Sequence, residues 1–310
     1  MVLAGTPLRS TNSDRDILSR DALSGSIRSS ASCASDFTHI SVPLFATICL
    51  KPNPSEPGWL RAQPVRVALT SVAVAEHQLY FRQLLSGRDF AAGDPLATQM
   101  VNFSYLIGDR ATGEAVVVDP AYGVGELLDA AEADGMRVVG ALVTHHHPDH
   151  VGGSMMGYSI EGLAELLSKR QVPVHANRHE APLVAKVTGL TADEVVAHDG
   201  GDKVSVGAVD VELMHTPGHT PGSQCFLVDG MLVAGDTLFL DGCGRTDLPG
   251  GDPDAMYESL QKLASLPDST VVYPGHRYSV ASAATIAAVR EVNMVYKPPT
   301  KEAWLAAFGR

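Results

Sequence analysis

Thr144-His145-His146-His147-Pro148-Asp149-His150 runs into Gly152-Gly153 and follows directly on the apolar segment Val138-Val139-Gly140-Ala141-Leu142-Val143. The apolar segment reads as a buried strand and the polar stretch as the loop at its end. Four groups that bind metals, His145, His147, Asp149 and His150, fall within six residues. Imidazole and carboxylate together suit zinc, iron or manganese. In extended backbone the side chains of i and i+2 share a direction, so His145 and His147 can grip one ion while His146 points away. After Pro148 the chain must turn, which frees Asp149 and His150 for a second ion. A histidine-rich surface loop is the plain alternative. It leaves unexplained the partner motifs that come later in order.

The first partner is His215-Thr216-Pro217-Gly218-His219-Thr220-Pro221-Gly222, again after a strand. Its Pro-Gly turn presents His219 at the sheet edge as a third nitrogen for the first ion. His215 lies at the strand end and reads as a packing residue. Next comes Gly235-Asp236-Thr237-Leu238, after the apolar strand Met231 to Ala234. A carboxylate has two oxygens and can bridge two cations, which makes Asp236 the candidate bridge. Tyr273-Pro274-Gly275-His276 repeats the device of strand, Pro-Gly and His, and brings His276 to the second ion. The expected sets are His145, His147 and His219 for the first ion, and Asp149, His150 and His276 for the second, with Asp236 joining them. His39, His77, His175, His179 and His198 have no such context and read as solvent or packing residues. Asp119, at a strand end, either hydrogen-bonds a metal-bound histidine or caps the segment before Ala121. Arg245 either anchors a substrate carboxylate or pairs with Asp247 or another acid. Cys243 reads as a small residue in a tight loop, because no base stands beside it to activate a nucleophile.

The chain has 310 residues, is 45% hydrophobic and 19% charged, and so has an ordinary core to bury. Its formal charge of -12 argues against nucleic acid or an anionic membrane as partner. Four cysteines without a CxxC spacing fit a reducing compartment, hence the cytoplasm. No apolar run reaches transmembrane length. Residues 1–74 differ from the rest. Ser24 to Ser35 is rich in Ser and Ala, and Lys51-Pro52-Asn53-Pro54-Ser55-Glu56-Pro57-Gly58 reads as a linker. Arg9, Arg15, Arg20 and Arg28 suggest a transit peptide, but Asp14, Asp16, Asp21 and Asp36 cancel them. We expect a disordered extension over 1–74, or translation from a later start, and a catalytic domain over 75–310. Within that domain the pattern predicts strands over 102–107, 114–119, 138–143, 172–175, 203–206, 209–214, 223–228, 231–234 and 270–273. Helices are predicted over 125–134, 160–170, 180–188, 254–266 and 281–292. Strands fall in two groups, each closed by helices, which implies two sheets face to face with helices outside.

The order His145-x-His147-x-Asp149-His150, His219, Asp236, His276 resembles the metallo-β-lactamase superfamily. The resemblance covers roughly residues 78 to 295 and implies an α/β (α+β) fold, a four-layer αββα sandwich with the metal site at one edge. Gly235-Asp236-Thr237-Leu238-Phe239 and Gly242-Cys243-Gly244-Arg245-Thr246-Asp247 are similar to the glyoxalase II (hydroxyacylglutathione hydrolase) and persulfide dioxygenase group. Tyr278 matches a tyrosine that contacts glutathione in that family. The chain departs from two-domain glyoxalase II in ending soon after His276, without the helical C-terminal domain, and in carrying Arg245 and Asp247 where that family has Lys and Tyr. The resemblance implies a metal-dependent hydrolase with two divalent ions, zinc first and iron or manganese as alternatives. A metal-bound hydroxide would attack a thioester carbonyl, with Asp149 and Asp236 catalytic and Arg245 and Tyr278 at the substrate. The alternative it implies is a persulfide dioxygenase with a single iron on His145, His219 and Asp236. The expected partner is a small-molecule thiol ester, and a homo-oligomer is left open. Because residues 1–74 have too little patterned apolar surface to join a core, their deletion should leave soluble protein of unchanged activity; loss of soluble protein on truncation would contradict this.

Overall fold

The computed structural model describes residues 78–309; the expectations for 1–74, and His39 and His77, lie outside them. The first half of the domain runs β1 (Leu79–Leu85), α1 (Pro95–Met100), β2 (Phe103–Asp109), β3 (Glu114–Val118), α2 (Val124–Ala133), β4 (Arg137–Leu142), α3 (Pro148–Val151), β5 (Gly153–Met155), β6 (Tyr158–Ile160), α4 (Leu163–Lys169), β7 (Val174–Asn177), α5 (Ala181–Thr188) and β8 (Val195–His198). The second half runs β9 (Lys203–Val206), β10 (Val209–His215), β11 (Gln224–Val228), β12 (Met231–Gly235), α6 (Pro253–Ala264), β13 (Val271–Pro274), β14 (Ala284–Thr285), α7 (Ile286–Val292) and α8 (Lys301–Phe308).

Two six-stranded sheets result, ordered β1-β2-β3-β4-β7-β8 and β14-β13-β12-β11-β10-β9, with β5 and β6 as a separate hairpin. The period of two along each strand sends alternate side chains to opposite faces. Thus Tyr105 and Ile107 of β2 and Val116 and Val118 of β3 pack against Leu213, Phe226 and Val233 of the other sheet. Leu106 and Val117, from the same strands, pack outward on Leu127, Leu163, Leu166 and Val184 of the helices α2, α4 and α5. On the far side Leu232, Ala234 and Val272 meet Met256, Leu260, Ile286 and Trp304 of α6, α7 and α8. Three apolar layers therefore separate four layers of secondary structure, in the order helix, sheet, sheet, helix. Both faces of the inner strands are buried, which is why Val116 to Val118 and Val138 to Val143 read as continuous apolar runs.

β3 pairs parallel to β4 through the crossover α2, and β12 pairs parallel to β13 through α6. Parallel neighbours end on the same side, so Asp119, His145, Asp236 and His276 all emerge at one edge. That edge is stitched across the two sheets, where Phe103 N–H donates to Gly275 O at 2.8 Å and Arg277 N–H to Val101 O at 2.9 Å. Some boundaries differ from expectation. The helix expected from 160 begins at Leu163, because Tyr158–Ile160 pairs as β6 with β5. The last expected helix, from 281, begins at Ile286, where Thr285 caps it after the short strand β14. Phe226 is fully buried between the sheets. Phe226→Ala should cost about 3–5 kcal/mol, measured as a lower denaturant midpoint with unchanged slope.

Candidate metal centre

Local backbone explains how each side chain arrives. β4 runs out through Val143 and Thr144, and His147 caps the single turn α3, with Pro148 in its first position. That turn carries Asp149 and His150 inward, both buried, as the sequence required after Pro148. Two glycines permit the close approach of the other loops. A Cβ on Gly275 would lie 2.3 Å from Asp236 Oδ1, and one on Gly244 would lie 1.9 Å from the Asp236 carbonyl oxygen.

The seven expected ligands converge. Three sets, His145 with His147 and His219, His145 with His150 and Asp236, and Asp149 with His150 and His276, each place their ligating atoms within 4.8 Å of one another. His147 Nδ1 lies 3.0 Å from His145 Nε2 and 3.0 Å from His219 Nε2. In the neighbouring group His150 Nε2 lies 3.2 Å from His276 Nε2, and Asp149 Oδ2 lies 3.4 Å from His276 Nε2. Asp236 sits between, with Oδ1 3.5 Å from His150 Nε2 and Oδ2 3.3 Å from His276 Nε2 and 3.8 Å from His219 Nε2. Its buried Oδ1 meets no hydrogen-bond donor.

The far sides of the rings fix where their protons are. His219 Nδ1–H donates to Arg245 O at 2.7 Å, and His276 Nδ1–H to Met100 O at 2.8 Å. His150 Nδ1–H donates to Asp119 Oδ2 at 2.9 Å. Thr144 Oγ1 gives its proton to Asp119 Oδ2 at 2.6 Å and so accepts from His145 Nδ1–H at 3.0 Å. With one proton each, on Nδ1, all four rings would turn an Nε2 lone pair inward, and any further proton would sit on Nε2 among the ligands. In that singly protonated state one proton at most, on His147 Nδ1, sits among the three nitrogens of the first group. Ligands of one ion at about 2.0–2.2 Å lie roughly 3–3.5 Å apart, and the observed spacings match that. The donor set fits divalent cations. The charges agree: burial raises Asp236, but His276, His150 and His219 outweigh it and hold the carboxyl well below its usual range. Burial lowers His150, but Asp149, Asp236 and Asp119 outweigh it and push the ring up to about 10. A cation would take the place of that proton.

Asp119 thus hydrogen-bonds a site histidine, resolving its two readings; it also accepts from the Thr144 amide at 2.8 Å. His146 points away as expected, and its destination is new. Both its amide, at 2.7 Å, and its Nδ1–H address Glu180 Oε1, while Glu180 Oε2 accepts from Thr220 Oγ1 at 3.0 Å and Gly222 N–H at 2.8 Å. Glu180 is fully buried and ties the His145 loop to the His219 loop. As an acid at a helix start it carried no other signal in the sequence. Asn102, equally unforeseen, is buried with Nδ2 donating to Asp149 Oδ2 at 3.2 Å. His215 stacks on His179, and His175 bonds His198, so all four pack as expected.

A cavity of about 670 Å³ opens on the site and is lined by His147, Asp149, His219, Asp236 and His276, together with Met155, Met156, Phe239, Cys243, Arg245 and Tyr278. A larger one, of about 720 Å³, contains none of the seven. Arg245 makes a two-pronged ion pair with Asp247, at 2.8 and 2.7 Å. Burial pushes the Cys243 thiol up to about 12, consistent with an inert loop residue.

Residues 97–276 match the metallo-beta-lactamase superfamily. The chain belongs to that superfamily. Among its relatives are hydroxyacylglutathione hydrolases of Xanthomonas campestris, 38% identical over 62% of this chain and 67% of theirs, and of Rhodopseudomonas palustris, 42% identical over 58% and 64%. The chain thus spans about two thirds of the length of these superfamily members. The mitochondrial persulfide dioxygenase ETHE1 of Bos taurus is 32% identical over 62% of this chain and 70% of that protein. In structure, ETHE1 from Myxococcus xanthus superposes with TM-score 0.61 at 28% identity, covering 74% of this chain and 90% of that one. TTHA1623 in a di-iron-bound form gives 0.51 at 29% identity, covering 63% and 95%.

Glu180 is held below its ordinary 4.5: burial raises it, but the hydrogen bonds from His146 and Thr220 outweigh that. A depressed carboxyl stabilises the fold above its unfolded pKa and loses that contribution as pH falls through the folded one. Glu180→Ala should therefore cost about 3 kcal/mol or more at neutral pH, since it strands four donors, and the gap to wild type should narrow below pH 4.5. Denaturant titrations at several pH values measure both.

Proposed function

We propose that the chain is a two-metal thioester hydrolase of the glyoxalase II type, working in the cytoplasm on a small-molecule thiol ester. The observation that carries this reading is the finished second group. Asp149, His150 and His276 are buried and each is oriented from behind, by Asn102, Asp119 and the Met100 carbonyl. Two complete groups of ligands support a reading with two ions. The hydroxyacylglutathione hydrolase relatives, and TTHA1623 in its di-iron form, support the same reading.

His145, His147 and His219 would hold one ion, Asp149, His150 and His276 the other, and Asp236 would bridge them. When bound, such ions supply Lewis acidity and lower the pKa of water towards 7. Asp149, on the cavity wall, accepts the proton of the attacking water. Asp236 holds negative charge between the two groups and keeps them at fixed spacing. A thiolate leaves readily and needs no strong acid. Tyr278, 56% exposed in the cavity lining, carries a phenol that can donate a hydrogen bond to the substrate. Arg245 lies at the cavity rim, where its pairing with Asp247 offsets its charge.

The second reading is a persulfide dioxygenase with one iron on His145, His219 and Asp236, favoured by the similarity to ETHE1. Elemental analysis with thioester turnover and oxygen uptake separates the two: two ions and hydrolysis against one iron and oxygen consumption. Asp236→Asn sharpens the test. In a two-metal hydrolase it should lose the second ion first and hydrolysis by about a hundredfold. In a one-iron enzyme it should empty the only site and abolish oxygen uptake.

A further inference from the structure

β5 and β6 are joined by Met156-Gly157 in a two-residue turn, with φ of +52 and +83. Both central residues are left-handed, the geometry in which Asn-Gly and Asp-Gly are preferred. Here the first position holds methionine, whose side chain gains nothing from that backbone and is 77% exposed. With Tyr158, 62% exposed, it leaves apolar surface at the tip of the hairpin. Met156 lines the mouth of the metal-site cavity beside Met155. The same lining includes Phe239, Leu248 and Pro249, and Tyr278, which stacks on His276 at 4.8 Å between ring centroids.

The charges lining this cavity point the same way. Among the described residues, Arg245 is the sole Lys or Arg that lines it, and Asp247 already holds it. Asp241 adds a carboxylate to the wall, and Arg277, though next to His276, is not part of the lining. Away from the ligands, an anionic tripeptide thiol would bring carboxylates to a lining whose one guanidinium is already paired. Met156, unpacked at the cavity mouth, shares that lining with Phe239 and Leu248 and suits an alkyl chain of variable shape.

We propose that the substrate is a thioester of an uncharged, apolar acyl group, whose chain lies between Met155, Met156, Phe239 and Leu248. This rests on the thioesterase reading above. The water oxygen bonds to the acyl carbon, the carbon–sulfur bond breaks, and the thiolate departs and takes up a proton, giving acid and thiol.

The test uses the metal-loaded full chain and a series of N-acetylcysteamine thioesters, from acetyl through hexanoyl to octanoyl, beside S-lactoylglutathione. A fully buried methylene is worth about fourfold, so kcat/KM should rise at least about tenfold from acetyl to octanoyl and exceed that for lactoylglutathione. Met156→Asn gives the turn a residue it prefers, so thermal stability should hold or rise. The same change should cut octanoyl turnover about tenfold and lower the octanoyl-to-acetyl ratio of kcat/KM by a similar factor. A flat acyl series, a preference for lactoylglutathione, or an unchanged octanoyl rate in Met156→Asn overturns the proposal. Titration with S-octyl-N-acetylcysteamine, a thioether that cannot be hydrolysed, keeps the two readings apart. If no thioester is cleaved but this probe binds, and binds about tenfold more weakly to Met156→Asn, the hydrolase reading fails and the apolar site stands. If thioesters are cleaved and the probe does not bind, the apolar site fails alone.

Discussion

The carboxylate of Asp119 accepts three hydrogen bonds at once, from the Thr144 amide, the Thr144 hydroxyl and His150 Nδ1. It does so from a left-handed backbone, φ +49, at the end of β3, a conformation that costs a non-glycine residue about 1 kcal/mol or more. Through Thr144 it orients His145, and directly it orients His150, so one buried acid sets a histidine of each metal group. The first sheet thereby sets one histidine of each group relative to the other. The second sheet must then come to that template: a Cβ on Gly235 would lie 2.7 Å from the Thr144 side chain, which is how closely β12 delivers Asp236.

What was legible in the sequence was whatever repeated a local device. Strand, turn and ligand recur at His145, His219, Asp236 and His276, and each recurrence is visible within about ten residues, so the set and its order could be read without coordinates. The continuous apolar runs of the inner strands gave the paired sheets for the same reason. Asp119 was ambiguous because its role depends on Thr144 and His150, 25 and 31 residues away. Asn102 and Glu180 were missed because an isolated amide at a strand start and an isolated acid at a helix start have commonplace local explanations. Only the tertiary structure shows that one braces Asp149 and the other joins two loops. The hairpin β5–β6 escaped notice because methionine stands where a turn signal would be expected.

The two functional readings share nearly all of this scaffold. The groups that orient His145 and His219 would serve one iron as well as they would serve the first of two ions. Asp149, His150 and His276, each backed by its own partner, are what a second ion would need in addition. A separate matter is what enters the cavity, and there the methionine hairpin, the aromatic pair of Phe239 and Tyr278 and the neutralised Arg245 set the terms.

The stitch between the start of β2 and the end of β13 has a meaning for biosynthesis. Met100 O, which orients His276, lies 176 residues before it. A chain made from its N-terminus therefore presents His145, His147, Asp149 and His150 long before His219, Asp236 and His276 exist. Until the second sheet closes, this fragment is an open, nitrogen-rich chelate with no geometric means of choosing among cations, and affinity at that stage follows the intrinsic order of the metals. Selection by shape begins only with the arrival of His276. Selection by shape is thus a property of the closed pair of sheets and of no shorter piece of the chain.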